Sequence, residues 1–271
     1  MFPYFIARKW LGGRNVDEAV RYAQELDQRK ILPLIDYVGE HYHSIDRVED
    51  SVEHYIQLVD QLDQKKICAC LSLKLSQFGL DLDEEICVEH FKTVLAHANE
   101  KNIFVWMDME SSKYTEKTIA IFEDELNDFE KIGLTLQANL KRTEEDLHRL
   151  VKDGATIRLV KGAYSEATDA AFQTKEEVEE KYGNYLEYLF DHTNYFSLAT
   201  HDQKFIRYGT QLLNAEQNQG KIEFQLLKGI KPKLEKELVK QGLKVAEYFP
   251  FGNNYSPYVW RRIKELERNL F

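Results

Sequence analysis

Short apolar runs punctuate the chain, and longer amphipathic stretches separate them. The runs are KILPLIDYVG (30–39), KICACLSLKLS (66–76), NIFVWMDME (102–110), GLTLQANL (133–140), TIRLVKG (156–162), YFSLATHD (195–202), KIEFQLLKG (221–229) and LKVAEYFPFG (243–252). Each has strand length and carries β-branched or aromatic residues. Between them, stretches such as DRVEDSVEHYIQLVDQL and EEDLHRLVKD space their apolar residues three and four apart, the period of a helix with one buried face. Eight alternating strand and helix units predict an α/β fold with a parallel sheet, and eight is the number that closes a (β/α)₈ barrel of the TIM type. An open doubly wound sheet is the rival, weakened because no G-x-G-x-x-G or G-x-x-x-x-G-K-[ST] loop follows any strand. A helix over NVDEAVRYAQELDQRK precedes the first strand and is expected to plug or flank the barrel bottom. Ser256 and Pro257 read as the N-cap and first residue of a last helix over the C-terminal rim. No Pro/Gly/Ser-rich linker interrupts the series, so one barrel domain is expected over residues 1–271.

Composition narrows the partners. Lys and Arg number 36 against 46 Asp and Glu, a net charge of -10. Nucleic acid or an anionic membrane as main partner would need a basic face, so any positive site must be a local pocket. Cys68, Cys70 and Cys87 are three in number and give no disulfide framework, which suits a reduced cytoplasmic protein. No run approaches the roughly 18 apolar residues of a membrane span, and MFPYFIARKW has no signal-peptide core.

Polar residues that interrupt the strands are the candidate chemistry. In a barrel the outward strand face is covered by helices, so polar groups belong to the lumen or the C-terminal rim. Alternation puts Ser72 with Lys74, Trp106 with Asp108, and Thr135 with Gln137 and Asn139, and it sets Arg158 between Ile157 and Leu159. Such a set is either a structural salt-bridge network filling the barrel or a polar pocket at the rim, and its surplus of cations favours a pocket for an anion. The last helix adds Arg261 and Arg262 in its second turn. An arginine pair on a helix is usually a solvated face. With Lys74 it makes a clamp suited to a carboxylate or phosphate, walled by Tyr248, Tyr255 and Tyr258.

Two other signals carry less. His41-x-His43 would need further ligands for a metal hydrolase, and AEYFPFGNN offers no Asp, so no metal site is expected. Cys68-x-Cys70 lies in a strand and reads as core filling.

LSLKLSQFGLD, FVWMDME, LTLQANL, RLVKGAY, ATHD, IEFQLLKGI and YFPFGNNYSPYVWRRIKELERN resemble, in order and spacing, the blocks of the proline dehydrogenase family. The resemblance runs from about residue 30 to the end and includes the weaker IDYVGE block. It implies a distorted (β/α)₈ barrel binding FAD, nearest the stand-alone bacterial form, and the oxidation of L-proline to Δ1-pyrroline-5-carboxylate. Electrons would pass to a quinone-type acceptor through a peripheral, transient contact at the inner face of the membrane. By matching blocks, Lys74, Arg261 and Arg262 hold the substrate carboxylate, Tyr248 packs on the proline ring and Tyr164 lines the same pocket. Asp108 and Arg158 match catalytic positions, and Asp108 would hold Lys74 or Arg158 in place. Met109, Gln137, Arg158, Lys161, Gly162, Ala163, Thr200 and His201 match flavin-contacting positions. Glu265, one turn past Arg261, would orient that arginine. Against the resemblance, Asn139 replaces a frequent aromatic, Ser165 a bulkier residue, and Asp202 the usual Asn.

The resemblance also speaks against an aldolase using Lys74 or Lys161 as a Schiff base. A flavin-free proline sensor is the non-enzymatic alternative.

Overall fold

The computed structural model describes residues 3–216 and 220–268, with side chains up to Ile263 in the last helix. Eight strands close into a barrel in sequence order: β1 (Leu32–Tyr37), β2 (Cys70–Leu73), β3 (Phe104–Met107), β4 (Ile132–Gln137), β5 (Thr156–Val160), β6 (Phe196–Ala199), β7 (Ile222–Leu227) and β8 (Lys244–Phe251). Seven fall within the apolar runs, and β4 begins one residue ahead of its run, at Ile132. The helices are α1 (Tyr4–Ala7), α2 (Val16–Gln28), α3 (Ile45–Gln64), α4 (Glu84–Glu100), α5 (Ser112–Leu126), α6 (Thr143–Lys152), α7 (Lys175–His192), α8 (Gln203–Glu216), α9 (Pro232–Lys240) and α10 (Ser256–Arg268). The second run stops being a strand sooner than its composition suggests, because Leu75–Gln77 turns into a 3₁₀ helix. Cys68 lies ahead of β2 and is exposed, so only Cys70 and Cys87 fill core.

The chain divides into two compact units. The first comprises Met1–Ile103, Leu227–Pro232 and Glu247–Phe271. In it β1 pairs with β2 in parallel, Leu34 facing Cys70 and Ile35 facing Leu71. The amphipathic α2 lies on β1 and α3, burying Val16, Ala19, Val20, Ala23 and Leu26. Its start is fixed by Asn15, whose side chain accepts from the Glu18 N–H at 2.9 Å. The short α1, absent from the pattern reading, packs with the following turn on α10: Ala7, Trp10 and Leu11 share a buried cluster with Val38, Tyr255, Tyr258 and Val259.

The second unit comprises Phe104–Leu226 and Lys233–Ala246. Its strands pair in parallel with Trp106 opposite Gly133, Thr135 opposite Arg158, Arg158 opposite Ser197 and Ser197 opposite Glu223. A Cβ on Gly133 would stand 2.6 Å from the Trp106 ring, so only glycine leaves room for the indole. Helices α5 and α6 pack on β4, and α7 packs on β5 and β6. A capping box between Thr174 and Glu177 sets where α7 begins.

Candidate active site

In the first unit the site grows from the ends of β1 and β2. The strand LPLIDY carries one charged residue, Asp36, and buries it to 3% exposure. An ionised carboxylate survives there only with partners, and it has them. Lys74, the first residue past β2 and still extended in backbone, donates from Nζ to Asp36 Oδ1 at 2.8 Å. The Tyr248 hydroxyl, on β8, donates to Asp36 Oδ2 at 2.7 Å. Lys74 Nζ also lies 3.5 Å from that hydroxyl. Tyr55 ties the two strand ends together, accepting from the Tyr37 N–H at 2.9 Å and donating to the Ser72 carbonyl at 3.1 Å.

The double arginine lies where α10 begins its second turn. Arg261 donates to Glu40, three residues past the end of β1, in a half-buried ion pair. Arg262 is buried, its guanidinium 5.3 Å from the centre of the Tyr258 ring. Asp36, Glu40, Lys74, Tyr258 and Arg261 line a cavity of about 120 Å³, the scale of one small metabolite and well below the roughly 300–1,000 Å³ of drug-sized pockets. Arg261 therefore takes its carboxylate partner from the β1 end. The Glu265 side chain expected for that role lies outside the described residues.

In the second unit the buried Arg158 forms an ion pair with Asp108, one residue past β3. The structure pairs Asp108 with Arg158, one of the two partners expected for it, and pairs Lys74 with Asp36. The Arg158 guanidinium lies 5.7 Å from the centre of the Trp106 ring. Gln137, the last residue of β4, is buried and donates from Nε2 to the Glu110 carbonyl at 2.8 Å. Met109 is buried beside them in sequence.

Past β5, Lys161 donates to Asp202 at 2.6 Å and approaches Glu179 on α7 at 3.4 Å. Burial by itself would raise the Asp202 carboxyl. The hydrogen bond from Lys161, the Lys204 N–H and the charges of Lys161 and Lys175 outweigh it and hold the group below its ordinary range. Thr200 is buried and accepts from the Asp202 N–H at 3.1 Å. Gly162 takes φ +107°, and a Cβ there would stand 1.9 Å from Asn139 Oδ1. Asn139 thus fills the space against the Gly162 backbone. Ala163 is exposed, and Tyr164 and His201 are half-buried in the loops after β5 and β6. That β5 loop is tied down where Glu166 accepts from the Ser112 N–H at 2.9 Å, at the start of α5.

Among the described residues of this unit, the buried carboxamide oxygens Asn139 Oδ1 and Gln225 Oε1 make no protein hydrogen bond. Gln225 sits on β7, its Nε2 fixed by Ser197 at 3.1 Å and Glu223 at 2.8 Å. Sequence reasoning assigned no role to Asp36, Glu40 or Gln225. The signal for Asp36 was present as an acid inside an apolar strand.

A family model described as proline dehydrogenase matches residues 19–270. Proline dehydrogenase 1 of Bacillus subtilis is 33% identical over 264 residues, spanning 97% of this chain and 87% of its own. Proline dehydrogenase of Deinococcus radiodurans is 30% identical over 273 residues, with the same coverages of 97% and 87%. Among solved structures, proline utilization A from Bdellovibrio bacteriovorus, inactivated by N-propargylglycine, superposes with a TM-score of 0.86 at 22% identity. The alignment covers 94% of this chain and 32% of that one, so this chain spans about a third of that much longer protein. The counterpart from Corynebacterium freiburgense gives 0.80 at 19% identity, over 93% and 30%. At these identities the structures speak for the fold, and they repeat the closed barrel. With a matching family model and curated relatives aligned over nearly its whole length, the chain belongs to the proline dehydrogenase family.

Proposed function

We propose that the chain oxidises L-proline to Δ1-pyrroline-5-carboxylate with FAD as its cofactor. The observation that carries this reading is the cluster of Lys74, Asp36, Arg261 and Glu40 around a small cavity, with Tyr248 bonded to Asp36 behind it. Guanidinium and ammonium groups recognise a carboxylate, and the phenol ring of Tyr248 offers an apolar face for a five-membered ring.

The residues of the second unit fit a flavin. Its ring carries both donors and acceptors, and the unpartnered Asn139 and Gln225 oxygens supply acceptors at the C-terminal ends of β4 and β7. Arg158 and Lys161 supply cationic donors, and Gly162 permits close backbone approach. Met109, Gln137, Arg158, Lys161, Gly162, Ala163, Thr200 and His201 are the proposed contacts. Bound FAD supplies the acceptor for the hydride that leaves proline C5.

Everything else is positioning and charge. Lys74, Arg261 and Arg262 hold the substrate carboxylate, while Tyr248 and Tyr164 bound the ring. Fixing both ends of so small a molecule limits which hydrogen it presents, and orientation of this kind contributes much of a barrier reduction. Arg158, kept in place by Asp108, stabilises negative charge that develops during reduction. Electrons then pass to a quinone-type acceptor met peripherally at the membrane. Among the described residues no helix is long and apolar enough to cross one.

The visible spectrum of the purified protein, taken before and after anaerobic L-proline, tests this. A flavin band that bleaches is the expected result. A protein that takes up no flavin from added FAD would overturn the cofactor, and a band indifferent to L-proline would overturn the substrate.

A further inference from the structure

The Asp36 carboxylate is engaged at both oxygens by residues from two other strand ends, Lys74 Nζ at 2.8 Å on Oδ1 and the Tyr248 hydroxyl at 2.7 Å on Oδ2. These partners face different parts of the proposed substrate. Lys74 meets the carboxylate and Tyr248 the ring, so this inference rests on the proline reading. Each has freedom of its own. A lysine ammonium sits on a flexible four-carbon stem, and Tyr248 is only half-buried. Asp36 has little such freedom, being short, 3% exposed and carried by a barrel strand.

We infer that Asp36 is a positioning residue for substrate recognition, a shared anchor that sets the Lys74 ammonium and the Tyr248 ring relative to one another. The anchor works by charge-assisted hydrogen bonds, stronger and more directional than neutral ones. It also moderates the pocket's charge. Lys74 and Arg261 line one cavity, and Asp36 holds the first of these cations in a neutral pair. A mere salt bridge for stability would need only Lys74. The second bond, to a tyrosine hydroxyl, serves geometry.

Asp36→Asn removes the charge with little change in shape. The expected outcome is a rise in KM for L-proline of about ten- to hundredfold, the worth of one hydrogen bond to a charged group, with kcat changed far less. Because both partners act through one carboxylate, combining Asp36→Asn with Tyr248→Phe should raise KM little beyond Asp36→Asn alone. Flavin content and thermal midpoint are recorded alongside, since a purely structural role would move those and leave the KM-to-kcat split unmoved. If Asp36→Asn does not fold, Tyr248→Phe decides alone: it keeps the ring, loses the bond to Asp36, and must raise KM. An unchanged KM in a flavin-loaded Asp36→Asn protein, fully additive effects in the double variant, or an unchanged KM in Tyr248→Phe would each overturn the inference. Wild-type protein runs in parallel: if it fails to oxidise proline, the substrate reading has failed, whereas an active wild type with an indifferent Asp36→Asn sinks the anchor alone.

Discussion

Lys161 and Asp202 form an ion pair at 2.6 Å between the ends of β5 and β6, where the family resemblance leads one to expect Asn in place of the acid. The departure from the family pattern therefore has a partner, and the pair reaches Glu179 on α7 as well.

The pH dependence of that pair follows from its sign. The folded Asp202 binds its proton less readily than the unfolded chain does, so its contribution is fully present above the unfolded value of about 3.9. It is lost as pH falls through the lower folded value. Thermal melts of wild type and Asp202→Asn should therefore differ at pH 7 and converge below about pH 4. Because the pair is only half-buried and still screened by solvent, the difference at neutral pH should stay under about 1 kcal/mol.

Asp108 and Arg158 are both buried, so losing one alone strands the other's charge. Asp108→Ala should cost about 3–5 kcal/mol in urea unfolding. Asp108→Asn with Arg158→Met should recover much of that stability. The same double protein should still fail to bleach its flavin with proline, because the charge placed for the reaction is gone. Recovery of both together would make the pair a structural one.

Arg261 is paired with Glu40, and under the proposed function its planar five-donor fork serves a substrate carboxylate as well. Lysine at that position offers a single point charge. Arg261→Lys should raise KM for proline by about ten- to hundredfold with a smaller change in kcat. Steady-state kinetics give the split directly.

Gly162 combines φ +107° with a Cβ position 1.9 Å from Asn139. Gly162→Ala should destabilise the protein by more than about 1 kcal/mol, through strain and overlap together. Adding Asn139→Ala should relieve the overlap and leave the strain. Fluorescence titration of the flavin-free protein with FAD should show weaker binding for Gly162→Ala even where the fold survives.

The barrel was legible because strand-length apolar runs recurred eight times, and burial on both faces of a parallel strand leaves that signature. Alternation put Lys74, Gln137 and Arg158 on polar faces, since a strand's period of two is rigid, and all three are buried. What alternation does not contain is a partner. It named a face for Asp108 but left Lys74 and Arg158 as rival partners, because pairing across strands depends on register and side-chain reach. Asp36 is a single acid among the apolar residues of β1, and its partners Lys74 and Tyr248 lie far from it in sequence. Helix α1 has four residues, too few to show a helical period. The Asn139 contact with Gly162 joins residues just past the ends of neighbouring strands, and no local pattern reports it.

The seat of α10 carries a consequence for when the arginine clamp comes into being. The surface under Arg261 and Arg262 is built partly from Ala7, Trp10 and Leu11, and nearly the whole described sequence separates them from Tyr258 and Val259. Contacts that close so long a loop come late in folding, after their entropy has been met by nearer pairings. During synthesis, Ala7, Trp10 and Leu11 emerge well before α10 and keep their apolar side chains uncovered until it follows. On the proposed reading, substrate recognition by this helix thus waits on contacts of long sequence separation, and a substitution at Trp10 acts on it directly.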